Sequence, residues 1–124
     1  MKNFKKYKIK DFTTKTIYIK DVSWSHEGLR LNLEDESGFV KISLLFDEIV
    51  YLYQVSQESY KPSCWIDLPG EYYPFYYSKK SEMINKLKGD VDYVRGDAII
   101  HFMIIGLDDV VDVLTSDLPK ILFL

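Results

Sequence analysis

One cysteine, two histidines and six glycines are all that this chain of 124 residues offers of the types that most recognisable catalytic and metal motifs are built from. Cys64 alone cannot close an internal disulfide, so the fold must be held by packing, and a reducing compartment suits it. Packing suffices at this length, because such a domain hides roughly two thirds of the surface its unfolded chain exposes. His26, Cys64 and His101 are far apart in sequence, which leaves zinc without a ligand set. The stretch DVDYVRGDAIIH at 90–101 starts like a calcium loop, but Val94 stands at the third ligand position, Arg95 at the glycine and His101 at the bidentate glutamate. No glycine-rich phosphate loop, G-x-S-x-G elbow or H-E-x-x-H helix occurs. The expectation is no metal, no cofactor and no catalytic residue. Cys64, in PSCW, has no helix N-terminus to lower its thiol pKa, and His101, inside an apolar strand, reads as a satisfied histidine at a sheet surface.

Long hydrophobic runs are also missing. The longest, AIIHFMII at 98–105, falls far short of the ~20 residues of a membrane helix. The opening MKNFKKYKIK carries five lysines with no apolar run after it, so it is not a signal peptide, and a cytoplasmic protein is expected. Neither sign of charge dominates, with 16 Lys and Arg against 19 Asp and Glu. A net charge of −3 and a pI near 5.3 make attraction to phosphate weak or repulsive, so neither nucleic acid nor a membrane is the expected partner, although Phe4 and Tyr7 interleave the lysines.

What is present is ordinary globular material, 47% hydrophobic and 28% charged, without repeat or linker, and we read residues 1–124 as one domain. TIYIKDVSW (16–24) is β-branched and aromatic. LRLNLE (29–34) puts Leu29, Leu31 and Leu33 on one face and Arg30 and Asn32 on the other. After the turn-like DESG at 35–38, Val40, Ile42, Leu44 and Phe46 alternate inward while Lys41 and Ser43 face water, a hairpin pattern. IVYLYQV (49–55) reads as extended. SEMINKLKG (81–89) is the best helix, with Ser81 as cap, Glu82 in the first turn, Met83, Ile84 and Leu87 as the buried stripe, and Lys86 and Lys88 before Gly89. DAIIHFMII and VVDVLTS flank GLDD (106–109) as a second hairpin. A helical stripe from Leu107 to Leu118 competes, but the valines favour a strand. The fold class is therefore mainly β (α+β): a bent antiparallel sheet or sandwich with one short helix near 81–88.

The stretch DLPGEYYPFYYS (67–78) crowds Tyr72, Tyr73, Phe75, Tyr76 and Tyr77 around Pro69, Gly70 and Pro74. Successive aromatics on an extended chain point to opposite faces, and the prolines place the stretch at a sheet edge or in a crossing loop. Part of the cluster caps a sheet end. The rest is available as an adhesive patch, since tyrosine gives much contact area at low entropic cost.

Taken in order, VSWSHEGLRLNLED, VKISLLFDEIVYLYQVSQES, a helix opened by serine, and IIHFMIIGLDDVVDVLTSDLPKI resemble a group of small bacterial proteins encoded near polymorphic toxins and treated as immunity proteins. The resemblance runs from about Val22 to Ile121. Its most specific part, HFMIIGLDDVVDVLTSDLP, is similar to the H-Y-x-I, N/D-D-x-I-D-V-L and E-P endings of that group, with Phe102 in place of the tyrosine and Asp117-Leu118-Pro119 in place of the acidic-proline pair. The resemblance implies a non-catalytic partner that binds and neutralises a cognate basic toxin domain. An acidic inhibitor suits a basic cleft, because complementary charge speeds association. The surface to expect combines Glu34, Asp35, Glu36, Asp108 and Asp109, all placed in hairpin turns, with Tyr72, Tyr73, Tyr76 and Tyr77 as anchors. The alternative is a β domain that binds or acts on a small molecule in a pocket beside the tyrosine cluster.

Overall fold

The structure, a computed structural model, describes residues 3–14, 16–57, 73–90 and 99–124. Nine strands and one helix are found among them: β1 (Lys5–Lys6), β2 (Ile17–Ser25), β3 (Gly28–Asp35), β4 (Lys41–Phe46), β5 (Val50–Gln57), β6 (Phe75–Ser78), α1 (Glu82–Asp90), β7 (Ile100–Ile105), β8 (Asp109–Thr115) and β9 (Lys120–Phe123). They form two antiparallel sheets, a first in the order β1-β6-β7-β8-β5 and a second in the order β2-β3-β4-β9. Both hairpins expected from DESG and GLDD are present, and the Leu107–Leu118 region runs as β8 and its flanks, as its valines require.

The two sheets face one another across a shared core. Leu29, Leu31, Leu33, Ile42, Leu44 and Phe46 come from the second sheet, and Phe75, Phe102, Ile104, Val111 and Val113 from the first. Each set follows the period of two that a half-buried strand imposes. The first sheet is also apolar on its far side. There Met103, Ile105 and Val110 gather with Tyr76, and Leu114 and Ile99 receive Ile84 from α1. The far side of the second sheet is polar, with Glu34 between Lys20 and Lys41 at 3.8 Å from each ammonium.

Local chemistry sets the corners. Gly28, with φ of 124°, opens β3 directly after the β2 turn, and a Cβ at that position would collide with the carbonyl oxygen of Phe46. In the next turn Asp35 accepts from the Ser37 hydroxyl at 2.7 Å and from the Val40 N–H at 3.2 Å, closing the DESG corner from within. Ser81 caps α1 by accepting the Ile84 N–H at 3.2 Å.

Two expectations need correction. The segment around Phe75–Ser78 is not at a sheet edge, because β1 pairs with its outer side, Lys5 opposite Tyr77 and Lys6 opposite Tyr76. Pro74 avoids the ladder by lying just before the strand, where its carbonyl accepts the Ile105 N–H at 2.8 Å. Ser43 does not face water. It points away from the core as expected, but Arg30 Nη1 donates to its hydroxyl at 2.9 Å and only 1% of the residue is exposed. The aliphatic stem of the arginine covers what strand alternation alone leaves open.

Candidate functional site

The acidic turns lie at one end of the molecule. The Leu107 N–H donates to the Ile17 carbonyl at 2.9 Å, and Ile17 is paired with Asp35, so the 106–109 turn of one sheet stands beside the 35–40 turn of the other. Tyr73 belongs to the same end, because the neighbouring Pro74 is bonded to Ile105. The five acids differ in what they have left to offer. Glu34 is shared between Lys20 and Lys41. Asp35 is committed to its own turn, and the Ser37 hydroxyl beside it, helped by backbone N–H groups, holds its carboxyl below the usual range. Glu36, Asp108 and Asp109 have no cationic partner among the described residues. Glu36 and Asp108 are exposed and Asp109 is half-buried.

The same end has an aromatic that the sequence reading passed over. Phe39 is 89% exposed on the DESG turn, and the exposed Leu124, whose N–H donates to the Lys41 carbonyl at 2.9 Å, ends β9 nearby. The signal was available: once Val40 is assigned inward, alternation sends Phe39 outward.

The tyrosines are divided. Tyr72 lies outside the described residues. Tyr73 is half-buried at the acidic end, with the Lys6 ammonium 5.9 Å from its ring centroid. Tyr77 is half-buried and packs edge-on against Tyr7, with ring centroids 6.2 Å apart. Tyr76 is only 1% exposed, on the far face of the first sheet among Met103, Ile105 and Val110, so it offers an outside partner nothing in this conformation. Its hydroxyl is buried with no hydrogen-bond partner among the described residues, and burial first, then the neighbouring Tyr73, pushes its pKa up, so it stays protonated. An orphaned buried hydroxyl costs stability. Tyr76→Phe is therefore expected to raise unfolding free energy by about 1 kcal/mol, and a loss in urea titrations would mean that the hydroxyl has a bonded partner.

A second constellation lies under α1. His101 Nε2 is 2.6 Å from Asp112 Oδ1 and His101 Nδ1 is 2.8 Å from Ser81 Oγ. The Phe4 ring meets the imidazole edge-on, with centroids 5.0 Å apart. With its proton on Nε2, the ring donates to the carboxylate and accepts the serine hydroxyl at Nδ1. The order serine, histidine, aspartate is that of a nucleophile, base and orienting acid. The setting differs from a catalytic one. Each of the three residues is 4% exposed, and Ser81 Oγ already caps the helix, so no face of the serine is open to a carbonyl substrate. The trio instead fastens α1 to the first sheet, which fits the sequence reading of His101 as a satisfied histidine. Cys64 and residues 91–98 lie outside the described residues. Among the described ones, no three His, Cys, Asp or Glu residues gather as metal ligands, and no helix is long and apolar enough to cross a membrane.

Two strands at the opposite flank bring a third group together. Trp24 of β2, 57% exposed, stacks on Tyr53 of β5 with ring centroids 6.4 Å apart and planes 16° from parallel. No family model, curated protein or solved structure matches the chain.

Proposed function

We propose that this chain is a non-catalytic binding protein of the immunity type, which occupies and neutralises a basic toxin domain inside the cell that makes both. The observation that carries the reading is the single end at which Glu36, Asp108 and Asp109 lack cationic partners among the described residues while Phe39 stands almost wholly in solvent. Unpaired acids raise the rate of encounter with a basic surface, and an exposed aromatic supplies the contact that slows departure. Tyr73 extends the anchor at the same end, whereas Tyr76 is enclosed and takes no part. An inhibitor of this kind needs no reactive group, only a rigid frame that holds two turns in register, and the paired sheets provide one.

The test reads the frames beside this gene, where a basic toxin domain is expected, and measures both rate constants for that domain by surface plasmon resonance. Asp108→Lys/Asp109→Lys is expected to slow association about tenfold, with the difference shrinking at high salt, and to change dissociation little. Phe39→Ala is expected to speed dissociation, by about 2 kcal/mol in affinity if it is a hot spot. Wild-type rates in both variants would remove this surface from the proposal, and failure to bind any neighbouring toxin would remove the proposal itself.

A further inference from the structure

Among the described residues the two sheets have four edge strands, β1 and β5 in the first and β2 and β9 in the second. Proteins protect free edges with lysine, proline, irregular pairing or shortness, because unpaired N–H and C=O groups recruit other strands. Three of these edges are protected. β1 is two lysines long, β9 has four residues and begins with Lys120, and β2 carries Lys20 at a register shift between Ile19 and Asp21. β5 is the exception. Its eight residues, VYLYQVSQ, hold no charge and no proline, and Leu52, Tyr53 and Val55 are 43%, 40% and 50% exposed. Its one irregularity lies between Val50 and Leu52, which leaves 52–57 regularly paired with β8 on the inner side.

We infer that β5 is a dimer seam, at which a second copy of this chain adds its own β5 antiparallel to the first. Charge decides the occupant. A basic partner gains nothing from an uncharged strand, whereas another β5 meets it without apposing like charges, even though each copy carries a net −3. Geometry is also self-complementary. With a two-fold axis through Gln54, Tyr53 of one copy lies opposite Val55 of the other on the core-facing side, and Leu52 lies opposite Ser56 on the far side. Aromatic against β-branched is a favourable cross-strand pair. The axis closes the assembly in one step, because each copy covers the other's unprotected β5 edge and no free β5 remains to propagate. Trp24, already stacked on Tyr53, then roofs the seam. Asp109, opposite Gln57, lies at the margin of the seam, whereas Glu36, Asp108 and Phe39 stand on turns beyond it, and the seam is argued from β5 alone without the toxin reading.

Sedimentation equilibrium of the full chain tests the seam. Wild type is expected at twice the chain mass over a range of concentrations. Val55→Lys should raise the dimer dissociation constant at least ~100-fold, because each copy would have to strip water from an ammonium group to bury it in an otherwise uncharged seam, whereas Leu122→Lys, on the β9 edge, should leave it unchanged. Because Val55→Lys could also unfold the strand, Gln54→Cys in a Cys64→Ser background provides a second reading. Two-fold related Cα atoms in an antiparallel pair lie about 4.5–5.5 Å apart, within disulfide reach, so mild oxidation should link two chains without loss of circular dichroism. A wild-type chain that stays monomeric at every concentration overturns the inference. So does a dimer that survives Val55→Lys and whose Gln54→Cys variant does not cross-link, and so does a monomer whose β5 instead captures an extended segment of another protein.

Discussion

Replacing His101 by leucine is expected to lower the unfolding free energy by about 3–5 kcal/mol, because it leaves the Asp112 carboxylate buried without the imidazole that holds it. The reverse deletion should cost less. Asp112→Leu strands the Nε2–H donor, a loss of about 1–3 kcal/mol. Replacing both residues by leucine restores an apolar layer between α1 and the first sheet and should recover most of the stability, since replacing both partners of a buried hydrogen bond by well-packed apolar groups is often nearly neutral. The ordering His101→Leu worse than Asp112→Leu, with the double variant better than either, separates a pairing effect from loss of volume. Urea unfolding of the four proteins measures it. Equal losses for the two single changes, adding in the double variant, would sink the account. The same variants bear on the proposed function, because a trio that only fastens a helix would leave the proposed toxin binding intact wherever the chain remains folded.

That trio shows how far sequence reasoning reached. The GLDD turn fixes a register in which His101 lies opposite Leu114 and Met103 opposite Asp112. Alternation then puts His101 and Asp112 diagonally on one face, so their contact follows from the hairpin already read from the sequence. Ser81 does not follow. It comes from a helix whose place over the sheet is decided by Ile84 meeting Leu114 and Ile99, a long-range packing event without a local signature. The same limit applies to the sheets. DESG and GLDD are local signals and specified their hairpins, whereas β9 beside β4, and β1 beside β6, join strands far apart in the chain whose own residues name no neighbour.

The tyrosine segment was misread for a related reason. Phe75 and Tyr77 do alternate against Tyr76, as an extended chain must, but both faces of the first sheet are covered at β6. Alternation tells which residues share a face. It does not tell whether that face meets solvent. The clue was in the partner strands: IHFMII and VVDVL are apolar at nearly every position, the mark of a strand buried on both sides. Applied to the acids, the same distinction shows why Glu34 and Asp35 differ from Asp108, since their hydrogen bonds and ion pairs depend on which side chains lie across the sheet or within the turn.

Phe102→Ala should be among the most damaging single changes at an apolar position, with an expected loss of about 3–5 kcal/mol. The ring touches three separate parts of the chain at once. It meets Phe46 of the second sheet at 5.5 Å between centroids, Tyr7 of the N-terminal segment at 5.2 Å and Phe75 of β6 at 6.4 Å, and it is fully buried. Truncation empties the middle of the layer that locks the two sheets, and the surrounding strands, paired on both sides, have little freedom to collapse into the gap. For a domain of this size the fall in Tm should be roughly 10–20 °C. Phe102→Leu keeps most of the volume and should lose far less. Because the acidic end is assembled from turns of both sheets, Phe102→Ala should also weaken the proposed toxin binding through loss of folded protein, whereas Phe39→Ala should weaken it with Tm unchanged. Calorimetry and binding on the two variants separate frame from surface. A Phe102→Ala protein that melts within a few degrees of wild type would show that the sheets are held together elsewhere.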